Sequence, residues 1–316
     1  MQVHYTGLFA AVFTPMYPDG SVNPAQIQPL VDYMVGAQIS GLYVCGSTGE
    51  GPSLSSDERR TVAAAYVEAS AGKLPVIVQV GHNSLAEARA LASHTQAIGA
   101  DAISALPPSY FKFRSVETLI DCLSEIASAA TNLPFFYYHI PSMTGMDFDM
   151  VEFLRLGCER IPNLTGIKYS EPSIDEYQAC LRFANKRFSI LFGCDEMLLS
   201  ALCVGAAGAV GSTYNFAGPL YNRIIKAFRR GDLTEAQKCQ ALAVEMIRIL
   251  SRYRGQRAFK AAMKLVGVDC GPSRLPLETL KPEELKAMEA ELDEIGFFEW
   301  AVPQEWPADS RNEQPS

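Results

Sequence analysis

Short apolar runs recur along this chain, and each is followed by a turn rich in glycine, proline or serine and then by an amphipathic segment. The runs are nearly continuous in apolar character rather than alternating, which is typical of parallel strands covered on both faces. This pattern predicts eight strands, at residues 8–13, 41–45, 75–80, 101–106, 134–139, 164–168, 188–192 and 207–211.

Amphipathic helices are predicted between these strands. The first has one apolar face built at positions i, i+3, i+4 and i+7, from Ile27, Leu30, Val31 and Met34. Helix starts are indicated where a serine is followed three residues later by a glutamate. In such a capping box the two side chains satisfy each other's backbone amides. The boxes occur at Ser55 with Glu58 and at Ser84 with Glu87.

Strands and helices that alternate eight times favour a closed (β/α)8 barrel, also called a TIM barrel, of the α/β class. A doubly wound sheet alternates in the same way, but no G-x-G-x-x-G motif follows the first strand. We therefore expect a barrel over residues 1–215, a C-terminal helical extension over 216–298 and a loose tail over 299–316. Helices after the last strand are predicted at 216–231, 234–253, 256–267 and 282–295.

The charge composition argues against two classes of binding partner. With 27 Lys and Arg against 35 Asp and Glu residues, the net charge is −8, which argues against nucleic acid and against anionic membranes. No apolar run approaches the ~18 residues of a membrane-spanning helix. The first residues contain neither a basic segment nor a long apolar stretch, so we expect no secretion signal.

Cysteine and histidine spacing predicts neither a disulfide framework nor a metal site. The 8 cysteines include no C-x-x-C pair, and the 4 histidines are scattered without an i,i+4 pair. Free thiols belong to a reducing compartment, so we expect a cytoplasmic protein.

In such barrels the chemistry lies at the carboxyl ends of the strands. Lys168 closes the apolar sixth strand, and lysine is rarely buried without a reason. A desolvated lysine loses proton affinity, becomes a nucleophilic amine and can form a Schiff base with a ketone. The alternative is a strand-end lysine whose ammonium reaches solvent or pairs with a carboxylate, and both interpretations stay open.

Two other strand ends carry candidate chemistry. After the second strand, the turn at residues 46–51 places Ser47 and Thr48 between glycines, and successive amides there suit a carboxylate. An ordinary strand-to-helix turn is the alternative. On the fifth strand, Tyr137 and Tyr138 point to opposite faces, so only one of them can point into the barrel. A phenol beside an imine can move protons, although a core aromatic is the simpler interpretation.

Taken together, these strand ends resemble a known family. The motifs, in order, are G-S-T-G-E, Y-x-I-P, the strand-closing lysine, G-x-D-E and G-S-T-Y-N. They resemble the N-acetylneuraminate lyase / dihydrodipicolinate synthase family of class I Schiff-base aldolases over about residues 7–298. The resemblance implies a lyase in a TIM barrel, no metal or organic cofactor, a 2-keto acid sugar and pyruvate as substrates, and a homotetramer.

The resemblance also implies roles for individual residues. Lys168 corresponds to the Schiff-base lysine and Tyr138 to the proton-shuttling tyrosine. Ser47 and Thr48 correspond to the pair that holds the pyruvate carboxylate, and Ser47 also bonds to the tyrosine. Tyr110 resembles a tyrosine lent to a neighbouring subunit's site. The contacts implied for the sugar hydroxyls are Ser170, Gly193, Asp195, Glu196 and Ser212.

Position 143 separates the two branches of the family. Dihydrodipicolinate synthases carry an arginine there to hold a second carboxylate, whereas Met143 cannot form a charge-assisted pair. Asp195 and Glu196 are good acceptors for sugar hydroxyls, which favours cleavage of N-acetylneuraminate to N-acetylmannosamine and pyruvate. The alternatives are an aldolase or dehydratase for another 2-keto acid, such as a 2-keto-3-deoxy sugar acid, a non-catalytic keto-acid-binding barrel, and a phosphate-handling isomerase.

Overall fold

A computed structural model describes residues 5–183, 187–303 and 306 of the 316-residue chain. Within these residues eight parallel strands close into a barrel in chain order, and the last strand pairs with the first. The strands are β1 (Gly7–Ala11), β2 (Gly41–Val44), β3 (Val76–Gln79), β4 (Ala102–Ala105), β5 (Phe135–His139), β6 (Leu164–Tyr169), β7 (Ser189–Phe192) and β8 (Gly208–Gly211). The predicted (β/α)8 barrel is confirmed, and every predicted strand overlaps an observed one.

A helix follows each strand and covers the outside of the barrel. These helices are α1 (Ile27–Gly36), α2 (Ser56–Ser70), α3 (Leu85–Ala97), α4 (Val116–Ala127), α5 (Pro141–Thr144), α6 (Met150–Arg160), α7 (Ile174–Arg182), α8 (Leu198–Cys203) and α9 (Tyr214–Arg229). The single-turn α5 precedes α6 in the loop after β5, and short 3-10 turns precede α1, α2 and α8 at Pro24–Gln26, Gly51–Ser53 and Asp195–Met197.

Side-chain hydrogen bonds explain where α2 and α3 begin. The Ser55 hydroxyl accepts from the Glu58 amide at 3.2 Å, and the Glu58 carboxylate accepts from the Ser55 amide at 2.8 Å, which is the predicted capping box. At α3, Ser84 accepts from the Glu87 amide at 3.4 Å. The Glu87 carboxylate does not return to Ser84; it accepts from Ser56 at 2.6 Å, so this second box is only half formed because its glutamate links α3 to α2.

Side chains along the strands alternate between the barrel interior and the layer beneath the helices. Tyr138 packs inside the barrel with Leu191, whereas Tyr137 packs outside, as the two-residue period requires. In the strand register Lys168 lies between Tyr138 on one side and Leu191 on the other. The Lys168 side chain therefore projects into the barrel interior rather than into the helical layer.

Further helices follow the barrel, namely α10 (Leu233–Arg252), α11 (Gln256–Leu265), α12 (Pro282–Glu294) and α13 (Phe297–Trp300). Helix α11 packs against α9, α10 and α12. The expected division between residues 215 and 216 falls inside α9, which packs on β1 and β8. Of the expected tail at 299–316, residues 304–305 and 307–316 lie outside the described residues. No helix in the described ranges is long and apolar enough to cross a membrane.

Candidate active site

A cavity of about 550 Å³ opens at the carboxyl ends of the barrel strands. Its walls come from β5, β6 and β8, from the loops after β2, β6 and β7, and from the start of α11. The residues implied by the family motifs that line it are Ser47, Thr48, Tyr138, Lys168, Ser170, Gly193, Asp195, Glu196 and Ser212. The fold thus brings side chains from five separate motifs to one cavity.

The Lys168 side chain lies against two tyrosine rings. Its Nζ atom is 3.9 Å from the ring centroid of Tyr43 and 3.9 Å from that of Tyr138. Only 4% of the residue is exposed. Among the described residues it makes no direct ion pair, and the carboxylate whose charge acts on it is that of Asp195. The geometry therefore favours the buried amine over a solvent-exposed or ion-paired ammonium.

Burial changes the protonation of this amine. It lowers the pKa of Lys168, because an ammonium group loses its hydration inside the barrel. Tyr138 and Asp195 act in the opposite direction and partly restore proton affinity. At a given pH, Lys168 therefore has a larger fraction of neutral, nucleophilic amine than an exposed lysine has.

The turn at residues 46–51 presents unpaired backbone amides beside this amine. The Gly46 carbonyl accepts from the Gly51 amide at 3.1 Å, and the Ser47 carbonyl accepts from the Glu50 amide at 3.0 Å. Within the described part of the chain, the amides of Ser47 and Thr48 donate to no protein acceptor. Two free amides in a cavity-lining turn suit an anion such as a carboxylate.

Two hydroxyl pairs connect the loop after β2 to its neighbours. The Ser47 hydroxyl lies 3.4 Å from the hydroxyl of Tyr138, and the Thr48 hydroxyl lies 2.6 Å from that of Ser212. Because Tyr138 also stands beside Lys168 in the strand register, a phenol, an alcohol and an amine meet at one point. This arrangement can both form an imine and move the protons that the reaction requires.

Asp195 also lines the cavity, from the turn Asp195–Met197 after β7. Its carboxylate accepts from the Thr213 amide at 2.8 Å and from the Thr213 hydroxyl at 2.6 Å. The Thr213 oxygen also lies 2.7 Å from the Tyr221 hydroxyl. Burial raises the pKa of Asp195 to about 6, although the two hydrogen bonds from Thr213 oppose this rise. Near neutral pH the group is therefore mainly an ionised acceptor.

Two close approaches in this wall require glycine. A Cβ atom on Gly193 would lie 2.1 Å from the Ser170 hydroxyl oxygen, and one on Gly211 would lie 1.9 Å from an Asp195 carboxylate oxygen. Glycine at these strand ends lets Ser170 and Asp195 lie close against the ends of the neighbouring strands β7 and β8.

Some residues of the site were not anticipated from the sequence. Tyr43 covers Lys168, and its hydroxyl donates to Ser104 at 3.0 Å. Side chains alternate along β2, so Tyr43 lies on the same face of the strand as Gly41. This alternation is a sequence signal that could have placed Tyr43 inside the barrel. Gln256 and Phe259 reach the cavity from α11, and nothing local in their sequence indicates it.

Tyr110 is the one residue of the implied set that does not line the cavity. It lies between β4 and α4 with 78% of its surface exposed, next to Phe111 with 83% exposed. Their ring centroids are 5.1 Å apart. Within a single chain, the structure does not bring Tyr110 together with the other candidate residues.

Comparison with known proteins identifies the family to which this chain belongs. The family model described as the dihydrodipicolinate synthetase family matches residues 4–295. The chain belongs to this family. The resemblance inferred from the strand-end motifs is therefore confirmed, and the dihydrodipicolinate synthetase family covers both the barrel and most of the C-terminal helices.

This chain is similar to curated N-acetylneuraminate lyases. N-acetylneuraminate lyase A of Xenopus laevis is 44% identical over 275 residues, which cover 86% of this chain and 90% of that protein. N-acetylneuraminate lyase of Rattus norvegicus is 41% identical over 297 residues, covering 92% and 93%.

Solved structures show the same architecture. The N-acetylneuraminate lyase of Proteus mirabilis superimposes with a TM-score of 0.91 at 38% identity, covering 93% of this chain and 100% of that chain. The sialic acid aldolase of Aliivibrio salmonicida gives a TM-score of 0.91 at 39% identity, covering 93% and 98%.

We expect Thr213→Val to raise the pKa of Asp195 further above about 6, because the substitution removes the hydroxyl that stabilises the ionised carboxylate. The measurement is pH-difference infrared spectroscopy of the protonated carboxyl band, assigned with Asp195→Asn. Thr234→Val, at an exposed threonine on α10, is the matched control and should leave the midpoint unchanged. An unchanged or lower midpoint in Thr213→Val would contradict the assignment.

Proposed function

We propose that this chain catalyses the reversible retro-aldol cleavage of N-acetylneuraminate to N-acetylmannosamine and pyruvate through a Schiff base on Lys168. The observation that carries the proposal is the buried amine of Lys168 beside Tyr138 and the free amides of Ser47 and Thr48. The similarity to N-acetylneuraminate lyases, at 41% and 44% identity, supports this choice of substrate.

The first step is formation of the imine. The neutral Lys168 amine adds to C2 of the open-chain 2-keto acid and gives a carbinolamine. The carbinolamine oxygen then leaves as water with the proton of the Tyr138 hydroxyl, so the products are an iminium and a phenolate. The free amides of Ser47 and Thr48 hold the substrate carboxylate and so orient C2 toward the amine.

The second step breaks the C3–C4 bond. The Tyr138 phenolate takes the proton of the C4 hydroxyl while the electrons of the C3–C4 bond move into the iminium. N-acetylmannosamine leaves as an aldehyde, and an enamine of pyruvate remains on Lys168. The iminium is the electron sink in this scheme, so the cleavage needs no metal or organic cofactor.

The final step releases pyruvate. The Tyr138 hydroxyl returns its proton to C3 and restores the iminium. Water then adds to C2, the phenolate takes a proton from that water, and the carbinolamine collapses to pyruvate and neutral Lys168. Ser47, 3.4 Å from the Tyr138 hydroxyl, stabilises the phenolate in both halves of the cycle.

The polar residues on the loops after β6, β7 and β8 suit the polyhydroxylated part of the substrate. Asp195 and Glu196 supply carboxylate acceptors, and Ser170, Ser212 and the Gly193 backbone add polar contacts. Met143, which is 68% exposed at the cavity mouth, supplies no positive charge for a second substrate carboxylate. These features support a sugar acceptor over a dicarboxylate one.

We further propose a cytoplasmic homotetramer in which Tyr110 completes a neighbouring subunit's site. The exposed aromatic pair of Tyr110 and Phe111 supports a subunit contact on the loop after β4. The cysteines are free thiols, which suits a reducing compartment. Sedimentation equilibrium should give four chain masses, and a monomer would contradict this assembly.

We expect the protein to convert N-acetylneuraminate into equal amounts of N-acetylmannosamine and pyruvate, and borohydride added during turnover to fix a pyruvate-derived mass on Lys168. The reason is that borohydride reduces an iminium to a stable secondary amine. Peptide mass spectrometry locates the adduct, and a product assay measures turnover.

Lys168→Met is the control and should give neither adduct nor turnover. A panel of 2-keto-3-deoxy sugar acids should be cleaved with kcat/KM at least about tenfold lower, the size of a few lost contacts. Turnover with Lys168 unmodified, or a preference for another 2-keto acid, would refute the mechanism or the substrate respectively. An adduct without turnover would favour a non-catalytic keto-acid-binding barrel.

Tyr138→Phe should lower kcat by about 10²–10⁴-fold, the usual contribution of a positioned proton-transfer group. Tyr137→Phe is the matched control, because its hydroxyl lies outside the barrel, 3.4 Å from His139 Nδ1. That variant should keep kcat within about threefold and lose only about 1 kcal/mol of stability from one hydrogen bond. Steady-state kinetics compare the two, and equal losses in kcat would argue against the role of Tyr138.

A further inference from the structure

Helix α11 lies against the turn at residues 46–51, although the two are far apart in sequence. The Gln256 side-chain amide donates to the Ser47 carbonyl across a separation of 209 residues. One helical turn later, Lys260 Nζ lies 3.0 Å from a Glu50 carboxylate oxygen. Residues four apart share a helix face, so one face of α11 contacts the turn at two points.

The contact between Lys260 and Glu50 is a buried ion pair. The two side chains are 3% and 2% exposed. Lys260 also donates to the Pro272 carbonyl at 2.7 Å, and the second Glu50 oxygen accepts from the Arg274 amide at 2.8 Å. A buried pair with these additional hydrogen bonds has one defined geometry, and removing one partner leaves an uncompensated charge.

Glu50 is itself held in an uncommon backbone conformation. Its φ is +55°, in the left-handed region that residues other than glycine rarely adopt. Glu50 is also the residue whose amide donates to the Ser47 carbonyl. Holding the Glu50 side chain therefore also holds the amide that fixes the Ser47 peptide.

The orientation of the free amides follows from these contacts. A trans peptide is planar, so its N–H points opposite to the C=O of the preceding residue. The Ser47 carbonyl, fixed by Glu50 and Gln256, shares its peptide plane with the Thr48 N–H. The Gly46 carbonyl, fixed by Gly51, shares its plane with the Ser47 N–H. These contacts therefore fix the directions of the unpaired N–H groups of Ser47 and Thr48.

We propose that Gln256 and Lys260 are positioning residues that hold the free amides of Ser47 and Thr48 for the carboxylate of the keto acid. This inference rests on the proposed function. Lys260 and Glu50 do not line the cavity, so they act through the turn rather than on the substrate, whereas Gln256 lines the cavity and acts on the turn through the Ser47 carbonyl. The C-terminal extension is then part of the carboxylate site and not only a cover for the barrel.

The test compares imine trapping by borohydride with pyruvate and with its neutral amide, pyruvamide, at increasing concentrations of each. A loss of amide positioning affects recognition of the carboxylate, whereas general loosening of the fold affects both ketones. The variants are Gln256→Met, which removes the donor at similar size, and the double variant Glu50→Gln with Lys260→Met, which leaves no buried charge alone.

In both variants we expect the half-saturating concentration of pyruvate to rise about five- to tenfold, as for one well-placed hydrogen bond. The value for pyruvamide should stay within about twofold. Lys264→Met is the matched control, because Lys264 lies one turn further along α11 and pairs with Asp269 at 2.9 Å in a half-exposed position. It should behave as the unmodified protein.

Equal weakening for both ketones, or no weakening for either, would overturn the positioning role. If the double variant does not fold, Gln256→Met decides alone. Failure of the unmodified protein to be trapped by pyruvate would reject the proposed function itself. Trapping of the unmodified protein with unaffected variants would reject only the role of α11.

Discussion

The removal of water from one amine is the constraint on which the rest of the site depends. Lys168 stands in a barrel interior that is largely apolar and aromatic, with Tyr138 and Leu191 beside it in the register. An ammonium in such surroundings loses hydration free energy, and two tyrosine faces replace only part of it. The neutral amine is favoured as a result, and a neutral amine is the form that attacks a ketone.

Desolvation also shifts the pKa of Asp195, in the opposite direction from that of Lys168. Burial raises the pKa of this carboxyl to about 6 and lowers that of Lys168, so in both groups it favours the neutral form. The two groups do not form a direct ion pair in the described structure, which leaves the amine free to react. The cavity thus holds both a nucleophile and an acceptor for hydroxyl groups.

The sequence predicted those features whose cause is local. Apolar runs and strand-end motifs were sufficient for the barrel, for Lys168 and for the inward position of one tyrosine of the pair Tyr137 and Tyr138. It did not predict Gln256 or Lys260, because their partners in the turn lie 209 and 210 residues away and α11 reads as an ordinary amphipathic helix. The half-formed capping box at Ser84 failed for a similar reason, since a contact from another helix competes for Glu87.

A single chain does not bring Tyr110 to the cavity that holds the other candidate residues. The exposed Tyr110 side chain between β4 and α4 agrees with a contact made between subunits. Lys168, Tyr138, Ser47 and Thr48, by contrast, all lie in one barrel, and the α11 contact that fixes the Ser47 carbonyl belongs to the same chain.

The most direct measurement is a crystal structure of the protein soaked in pyruvate. Continuous electron density is expected from Lys168 Nζ to C2 of the ligand, with the ligand carboxylate on the amides of Ser47 and Thr48. Pyruvate bound elsewhere in the cavity, with no density leaving that nitrogen, would contradict the proposed Schiff base.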